Sequence, residues 1–192
     1  MARYGQDHKE ATRQRIIETA GRRFKQDGID GSGIATLMAD AGLTNGAFYA
    51  HFSSKQDLVA TVIGDQLRSQ ADGYTTLSPG RAGLEEFIRQ YLSPEHRDDR
   101  ASGCPSAALL DEIGRCATDT KASFTAGAVV VIDLIASRLD PRSPESQRAT
   151  AVALFTMLVG TLQLSRALDD QGLSDEILEL GIRNALDLLP RD

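Results

Sequence analysis

Tryptophan is absent from this 192-residue chain, and aromatic residues make up only 5% of it. That disfavours a binding site built by stacking large planar compounds between several rings. Cysteine occurs twice, as Cys104 and Cys116. Two thiols make no disulfide framework, and their spacing fits no common zinc pattern. No uninterrupted apolar run reaches the ~18–20 residues that span a bilayer. The longest candidate, Ala126 to Ala136, is broken by Asp133. The N-terminus has no apolar signal core, so the expectation is cytoplasmic residence without a membrane partner. Catalytic signatures are missing as well: there is no P-loop, no GxGxxG, no Ser-His-Asp ordering and no paired metal ligands. Only three histidines exist, His8, His51 and His96. A non-enzyme without metal or cofactor is expected.

Charge is unevenly spread. The chain carries a net -6, which by itself opposes contact with nucleic acid. Residues 1–55 hold a net +2, however, and the remainder a net -8. A mildly basic head on an acidic body is compatible with DNA approaching the head alone.

Sustained period-2 alternation is nowhere to be found, whereas apolar residues recur at helical spacing throughout. Prolines fall at helix edges (Pro79, Pro94, Pro105, Pro141, Pro190) or in a loop between helical patterns (Pro144). The first helix spans about His8 to Gln26, with Ile16, Ile17, Ala20 and Phe24 on one stripe and Gly28 as a stop. A short second helix runs from Ile34 to Ala41, with Ile34, Leu37, Met38 and Ala41 at i, i+3, i+4 and i+7. Ser32 or Gly33 caps it and Gly42 ends it. Leu43 plugs the turn, and Thr44 caps a third helix over Asn45–Phe52. Further helical patterns cover Lys55–Gln70, Gly83–Leu92, Ser106–Ala117, Asp119–Arg138, Glu145–Leu168 and Ser174–Leu189, with Asp119, Ser143 and Ser174 as caps. Residues 93–105 read as polar and irregular. The fold expected is all-α, about nine helices, with a three-helix head at 1–54 and a larger helical bundle at 55–192.

Two short helices around a Gly-containing turn make the helix-turn-helix pattern. Its second helix must lock inward, here through Phe48 and Phe52, and present a small or hydrogen-bonding outer face to a major groove about 12 Å wide. The residues bear a further likeness. Thr12-Arg13 with Ile16-Ile17, Ala20 with Phe24 and Gly28, Leu37-Met38 with Ala41-Gly42-Leu43-Thr44, and the run Gly46, Phe48-Tyr49-Ala50-His51-Phe52, Ser54-Lys55 and Leu58 resemble the N-terminal domain of the TetR family of regulators. The resemblance covers about a quarter of the chain. It implies a homodimer on a pseudo-palindromic operator, acting as a repressor released by a small-molecule inducer. The family's DNA-contacting positions match Thr44, Asn45, Gly46, Ala47, Tyr49, His51 and Lys55. Two departures stand out. Gly33 replaces a usual Ser or Thr, and Ala47 offers only a methyl to the bases, so readout leans on Asn45, phosphate contacts and DNA shape. The rival reading is a helical protein-interaction module without DNA binding.

The body carries two further expectations. The resemblance implies a dimer interface built from the last two long helices, which the stripe of Leu154, Leu158, Leu162, Leu178, Ile182, Ala185 and Leu189 would supply. An inducer pocket among the middle helices would draw on Phe87, Tyr91, Leu110, Ile113, Phe124, Val131 and Met157. Cys104, between Gly103 and Pro105 at a helix start, is a candidate redox or electrophile-sensing thiol.

Overall fold

The structure is a computed structural model that describes residues 2–78 and 80–190, with side chains from residue 6 onward. Pro79, expected at a helix edge, lies outside the described residues. Among the described residues there is no strand. Nine α-helices follow in order: α1 (Ala2–Asp27), α2 (Ile34–Asp40), α3 (Lys55–Thr75), α4 (Gly80–Tyr91), α5 (Pro94–Asp98), α6 (Pro105–Arg115), α7 (Thr118–Leu139), α8 (Arg148–Ala167) and α9 (Gln171–Asp187). Two 3-10 segments, Asn45–Ala50 and Pro144–Gln147, precede α3 and α8. The all-α fold is as the periodicity predicts.

The apolar stripes sort into two cores that meet on α3. One core joins Ile16, Ile17, Ala20 and Phe24 of α1 to Leu37, Met38, Phe48 and Phe52, and to Leu58, Val59, Val62, Ile63 and Leu67 of α3. Leu109 and Ile113 of α6 close it from the body side. The second core begins one turn later on the same helix, with Ala71 and Tyr74, and runs through α4, α7, α8 and α9. A helix shared by two cores ties head to body far more firmly than a loop would.

The short elements of the head follow from local chemistry. Gly42 has φ +68, a left-handed conformation that ends α2 and costs an L side chain ~1–2 kcal/mol. Behind it the Leu43 amide donates to Met38 O at 2.8 Å and the Gly42 amide to Ala39 O at 2.9 Å, a double closure of the helix end. The next element is a 3-10 segment, Asn45–Ala50, rather than the α-helix expected over Asn45–Phe52. Asn, Gly, Phe and Tyr are weak helix formers, and over six residues i→i+3 bonds close as readily as α ones. Ser54 then caps α3, its hydroxyl accepting from the Asp57 amide at 3.1 Å, while the Asp57 carboxylate accepts from the Ser53 amide at 2.9 Å.

Several predicted boundaries move. Residues 93–105 contain α5, started by Pro94 and capped by Ser93, whose hydroxyl accepts from the His96 amide at 3.2 Å. The N-caps of α7 and α9 are Ala117 and Asp170, not Asp119 and Ser174. Asp170 takes the role because its carboxylate accepts from the Leu173 amide at 3.0 Å, while Ser174 is buried and bonds to Ser165 O. Two segments, Thr118–Leu139 and Pro144–Ala167, are long and apolar enough on average to cross a membrane. Here both pack into the body core, and Asp133 on the first pairs with Arg148 on the second.

Candidate nucleic-acid interface and ligand cavity

Four of the expected contact residues stand clear of the head. Thr44, Asn45, Gly46 and Tyr49 are exposed, Tyr49 at 68%, on a segment held from behind by Phe48 at 0% and Phe52 at 2%. The rings of Phe48 and Phe52 lie 5.7 Å apart, and Tyr49 stands edge-on to Phe48 at 5.2 Å. Ala47 is half-buried against the head core. An i→i+3 segment thus separates a locked inner face from a free outer one, which is the division a groove-entering element needs.

His51 and Lys55 sit differently. His51 is half-buried, and its Nδ1 has no hydrogen-bond partner. Burial lowers its pKa, and Lys9 and Arg13 of α1 lower it further. Arg13 in turn lies over the Phe52 ring at 4.9 Å. A cationic edge of Lys9 and Arg13 therefore borders the exposed segment. Helical periodicity had placed Arg13 merely off the apolar stripe, and nothing in the spacing marked Lys9. Lys55 is half-buried and lines a cleft of about 240 Å³ between head and body, with Asp30, Gln56, Glu112 and Arg115.

The body contacts the head at two further points. Glu112 of α6 accepts from the Ile29 amide at 2.8 Å and from the Asp30 amide at 3.4 Å. Lys25 of α1 donates to Gly103 O at 2.9 Å. Gly28 makes the first contact possible. It has φ +82, and an added Cβ would lie 3.0 Å from Glu112 Oε1.

Beside the Lys25 contact opens a cavity of about 730 Å³, lined by α1, α3, α4 and the segment from Ser93 to Pro105. Of the seven residues expected around an inducer, the structure brings Phe87 and Tyr91 to this cavity. The other five lie elsewhere. Ile113 belongs to the head core and Phe124 packs against it. Val131 is fully buried in the body core, with Met157 against it. Leu110 is 39% exposed on α6. Helical spacing marks residues as apolar-facing but does not say whether they face a filled core or a hollow. The cavity lining is instead rich in polar groups, including Lys25, Gln66, Gln70, His96 and Asp99. Sequence reasoning passed over them because they follow no periodic pattern.

Cys104 lines the same cavity and is buried. Its Sγ lies 3.4 Å from Gln70 Nε2, and its amide donates to His96 Nε2 at 3.0 Å. His96 must therefore carry its proton on Nδ1, which donates to Tyr91 O at 2.7 Å. Burial lowers the His96 pKa, and Arg166 and Lys25 act in the same direction against the Tyr91 carbonyl. The neutral ring is the form these two bonds need.

The expected dimer stripe requires correction. Leu154, Leu158, Leu162, Leu178, Ala185 and Leu189 are 0–3% exposed within a single chain, and Ile182 is half-buried against the same core. They are spent on packing α8 and α9 inside one subunit and offer no area to a second. At Gly181 the two helices meet closely, and an added Cβ would stand 2.4 Å from Thr161 Cγ2. The free face is the opposite one. On α8 it carries Val152, Thr156, Gly160 and Leu164 at successive i+4 positions, and on α9 Leu173 and Leu180. Both faces carry apolar residues at helical spacing, and only the fold decides which face is inside.

A family model for bacterial regulatory proteins of the tetR family matches residues 16–62. The likeness to that family lies in the head of this chain. The head is 37% identical over 62 residues to the HTH-type transcriptional regulator AcrR of Shigella flexneri, covering 32% of this chain and 29% of that protein. Among the first such relatives the matched segment spans between 29% and 40% of their length. The HTH-type transcriptional repressor NemR of Escherichia coli strain K12 is 24% identical over 134 residues, 67% of each chain. The solved structure of E. coli NemR in its reduced form superposes with a TM-score of 0.80 at 20% identity, covering 95% of this chain and 98% of that one. The head and the helical body thus share the fold of that structure.

Proposed function

We propose that the protein is a ligand-responsive transcriptional regulator acting in the cytoplasm as a homodimeric repressor, rather than an enzyme. Residues 1–54 would form the DNA-binding head and residues 55–192 the ligand-binding and dimerisation body. The observation that carries this reading is the exposed 3-10 segment Asn45–Ala50, locked from behind by Phe48 and Phe52 inside a TetR-family head. Thr44, Asn45, Gly46, Ala47 and Tyr49 would meet the groove. His51, with Lys9 and Arg13 beside it, and Lys55 would meet phosphates.

Induction would act on the seam. A small molecule in the cavity lies against Lys25 of α1 and next to the Gly103 carbonyl that holds it. A ligand that favours a body state in which that contact is altered shifts the spacing of the two heads. It thereby lowers the population that fits two half-sites one helical turn apart.

The test is fluorescence anisotropy on DNA from upstream of the gene, across a salt series. His51→Ala and Lys55→Ala are each expected to weaken binding several-fold on every sequence. The lysine variant should also show a salt slope shallower by about one. Unchanged binding in both variants removes them from the interface. The absence of any sequence-dependent binding at low salt would favour a helical interaction module instead.

A second reading is favoured by one observation, the opening of Cys104 into the same cavity beside Gln70 and Lys25. In it, an electrophile or oxidant entering the cavity modifies the Cys104 thiol and so releases DNA. Cys104→Ser is then expected to abolish DNA release by peroxide or quinone while leaving operator affinity intact. An inert Cys104 by mass spectrometry, with DNA binding unaffected by either reagent, sinks this reading and spares the first.

A further inference from the structure

The cavity is built asymmetrically. Three of the chain's ten aromatic rings form one wall. Tyr74 and Phe87 have centroids 4.7 Å apart, and Phe87 and Tyr91 5.6 Å, with the His96 ring edge-on to Tyr91 at 4.8 Å. Within the lining, Lys25 is 9% exposed. Its ammonium has three N–H donors, and the protein takes one of them, through Gly103 O. Among the described residues Lys25 forms no ion pair. Gln66 Oε1, also in the lining, is buried without a hydrogen-bond partner, and the Tyr91 hydroxyl lies against the Cys104 thiol. Tyr91 is 5% exposed, and both Tyr91 and Lys25 neighbour Cys104.

An ordinary core explains an aromatic wall. It does not explain a buried ammonium without a carboxylate and with two N–H donors free, since such a group costs stability unless something compensates it. The acids that line the cavity do not meet this need. Glu18, Glu95 and Asp99 are exposed, Asp65 is half-buried, and water screens them. A ligand oxyanion would take the free donors of that ammonium, and charge-assisted hydrogen bonds of this kind are the strong ones.

We propose that the cavity binds a compact ring compound bearing a carboxylate, with the oxyanion on Lys25 Nζ and the ring against Tyr74, Phe87 and Tyr91. The proposal rests on reading the cavity as the effector site. It also gives that reading a lever, because a carboxylate on the two free N–H donors of Lys25 would bear directly on the head helix α1.

Lys25 adds a pH signature. Burial lowers its pKa to about 8, with Cys104 and Asp99 opposing the shift and Arg166 and Arg22 adding to it; His96 faces it as well. Below that pH the ammonium is charged and the affinity for an anion is flat. As pH rises above it, the free protein loses the charge that the anion needs, and affinity falls by up to about tenfold per pH unit.

The test titrates the full chain with 2-naphthoate and, separately, with its neutral isostere 2-naphthamide, following probe fluorescence. Naphthoate is expected to bind at least about tenfold tighter than the amide. Its affinity should decline above about pH 8 while that of the amide stays flat. Lys25→Met should erase the preference without weakening the amide. If that variant loses its helical circular dichroism, the wild-type pH profile decides alone. Equal binding of both probes, no binding of naphthoate at millimolar concentration, or a preference that survives Lys25→Met overturns the proposal. A neutral compound that fills the cavity and releases operator DNA would also overturn it while leaving the regulator standing. Failure of the chain to bind operator DNA would overturn the regulator reading and leave the naphthoate titration still decisive.

Discussion

Placing glutamate at both Leu164 and Leu180 is expected to yield a folded monomer that has lost at least about 100-fold in operator affinity. The two leucines are 52% and 39% exposed on α8 and α9, so a charge there disturbs no core of the single chain. In a dimer whose free faces pack together, each glutamate would be buried opposite its symmetry mate, where an unpaired charge is strongly unfavourable. Two heads on one body bind two half-sites with the second contact nearly intramolecular, an advantage on the order of 10²–10⁴ that a monomer forfeits. The control is Leu158→Ala, on the face first expected to dimerise. That side chain is 0% exposed inside its own subunit. Its truncation should cost ~2–5 kcal/mol and lower Tm without changing the mass measured by light scattering. A double-glutamate variant that remains dimeric would assign the interface to another surface.

Phe48→Ala should cost ~3–5 kcal/mol, the penalty of deleting a fully buried aromatic ring. Phe48 is 0% exposed and touches both the Phe52 and Tyr49 rings. A domain's whole stability is only about 5–15 kcal/mol, so this loss should unfold the head before the body. Hydrogen exchange is the measurement: protection should collapse over α1, α2 and the first turns of α3 while α8 and α9 keep theirs. Phe48→Leu, which keeps most of the volume, should lose much less. Tyr49→Ala gives the opposite pattern. Its ring is 68% exposed, so stability should change by no more than about 0.5 kcal/mol while operator affinity falls. Equal destabilisation by Phe48→Ala and Tyr49→Ala would contradict the division into a locked inner face and a free outer one.

Both results rest on which side of a helix faces inward, and here the sequence was unequally informative. In the head, the stripe Ile34, Leu37, Met38 and Ala41 and the pair Phe48 and Phe52 leave only one apolar side, so periodicity names the buried face without ambiguity. Gly42 and Leu43 mark the turn through chemistry that only a left-handed position and a helix-end closure require. The all-α architecture, the helix-turn-helix and the exposure of Thr44, Asn45, Gly46 and Tyr49 were therefore legible from residues alone.

The body was not legible in the same way. On α8 both Leu154-Leu158-Leu162 and Val152-Thr156-Gly160-Leu164 satisfy helical spacing. The choice between them depends on where α7 and α9 lie, which is a matter of distant contacts. The cavity depends on residues far apart in sequence. Lys25 meets Gly103, and Gln70 meets Cys104, only because α1, α3 and the 93–105 segment converge. The sequence by itself determined the all-helical class, the Gly42 turn and the exposed segment Asn45–Ala50, because those rest on local periodicity and backbone conformation. Tertiary structure alone decided the seam, the exposed face of α8 and α9 and the polar lining of the cavity, because burial of a given side chain is set by its neighbours in space.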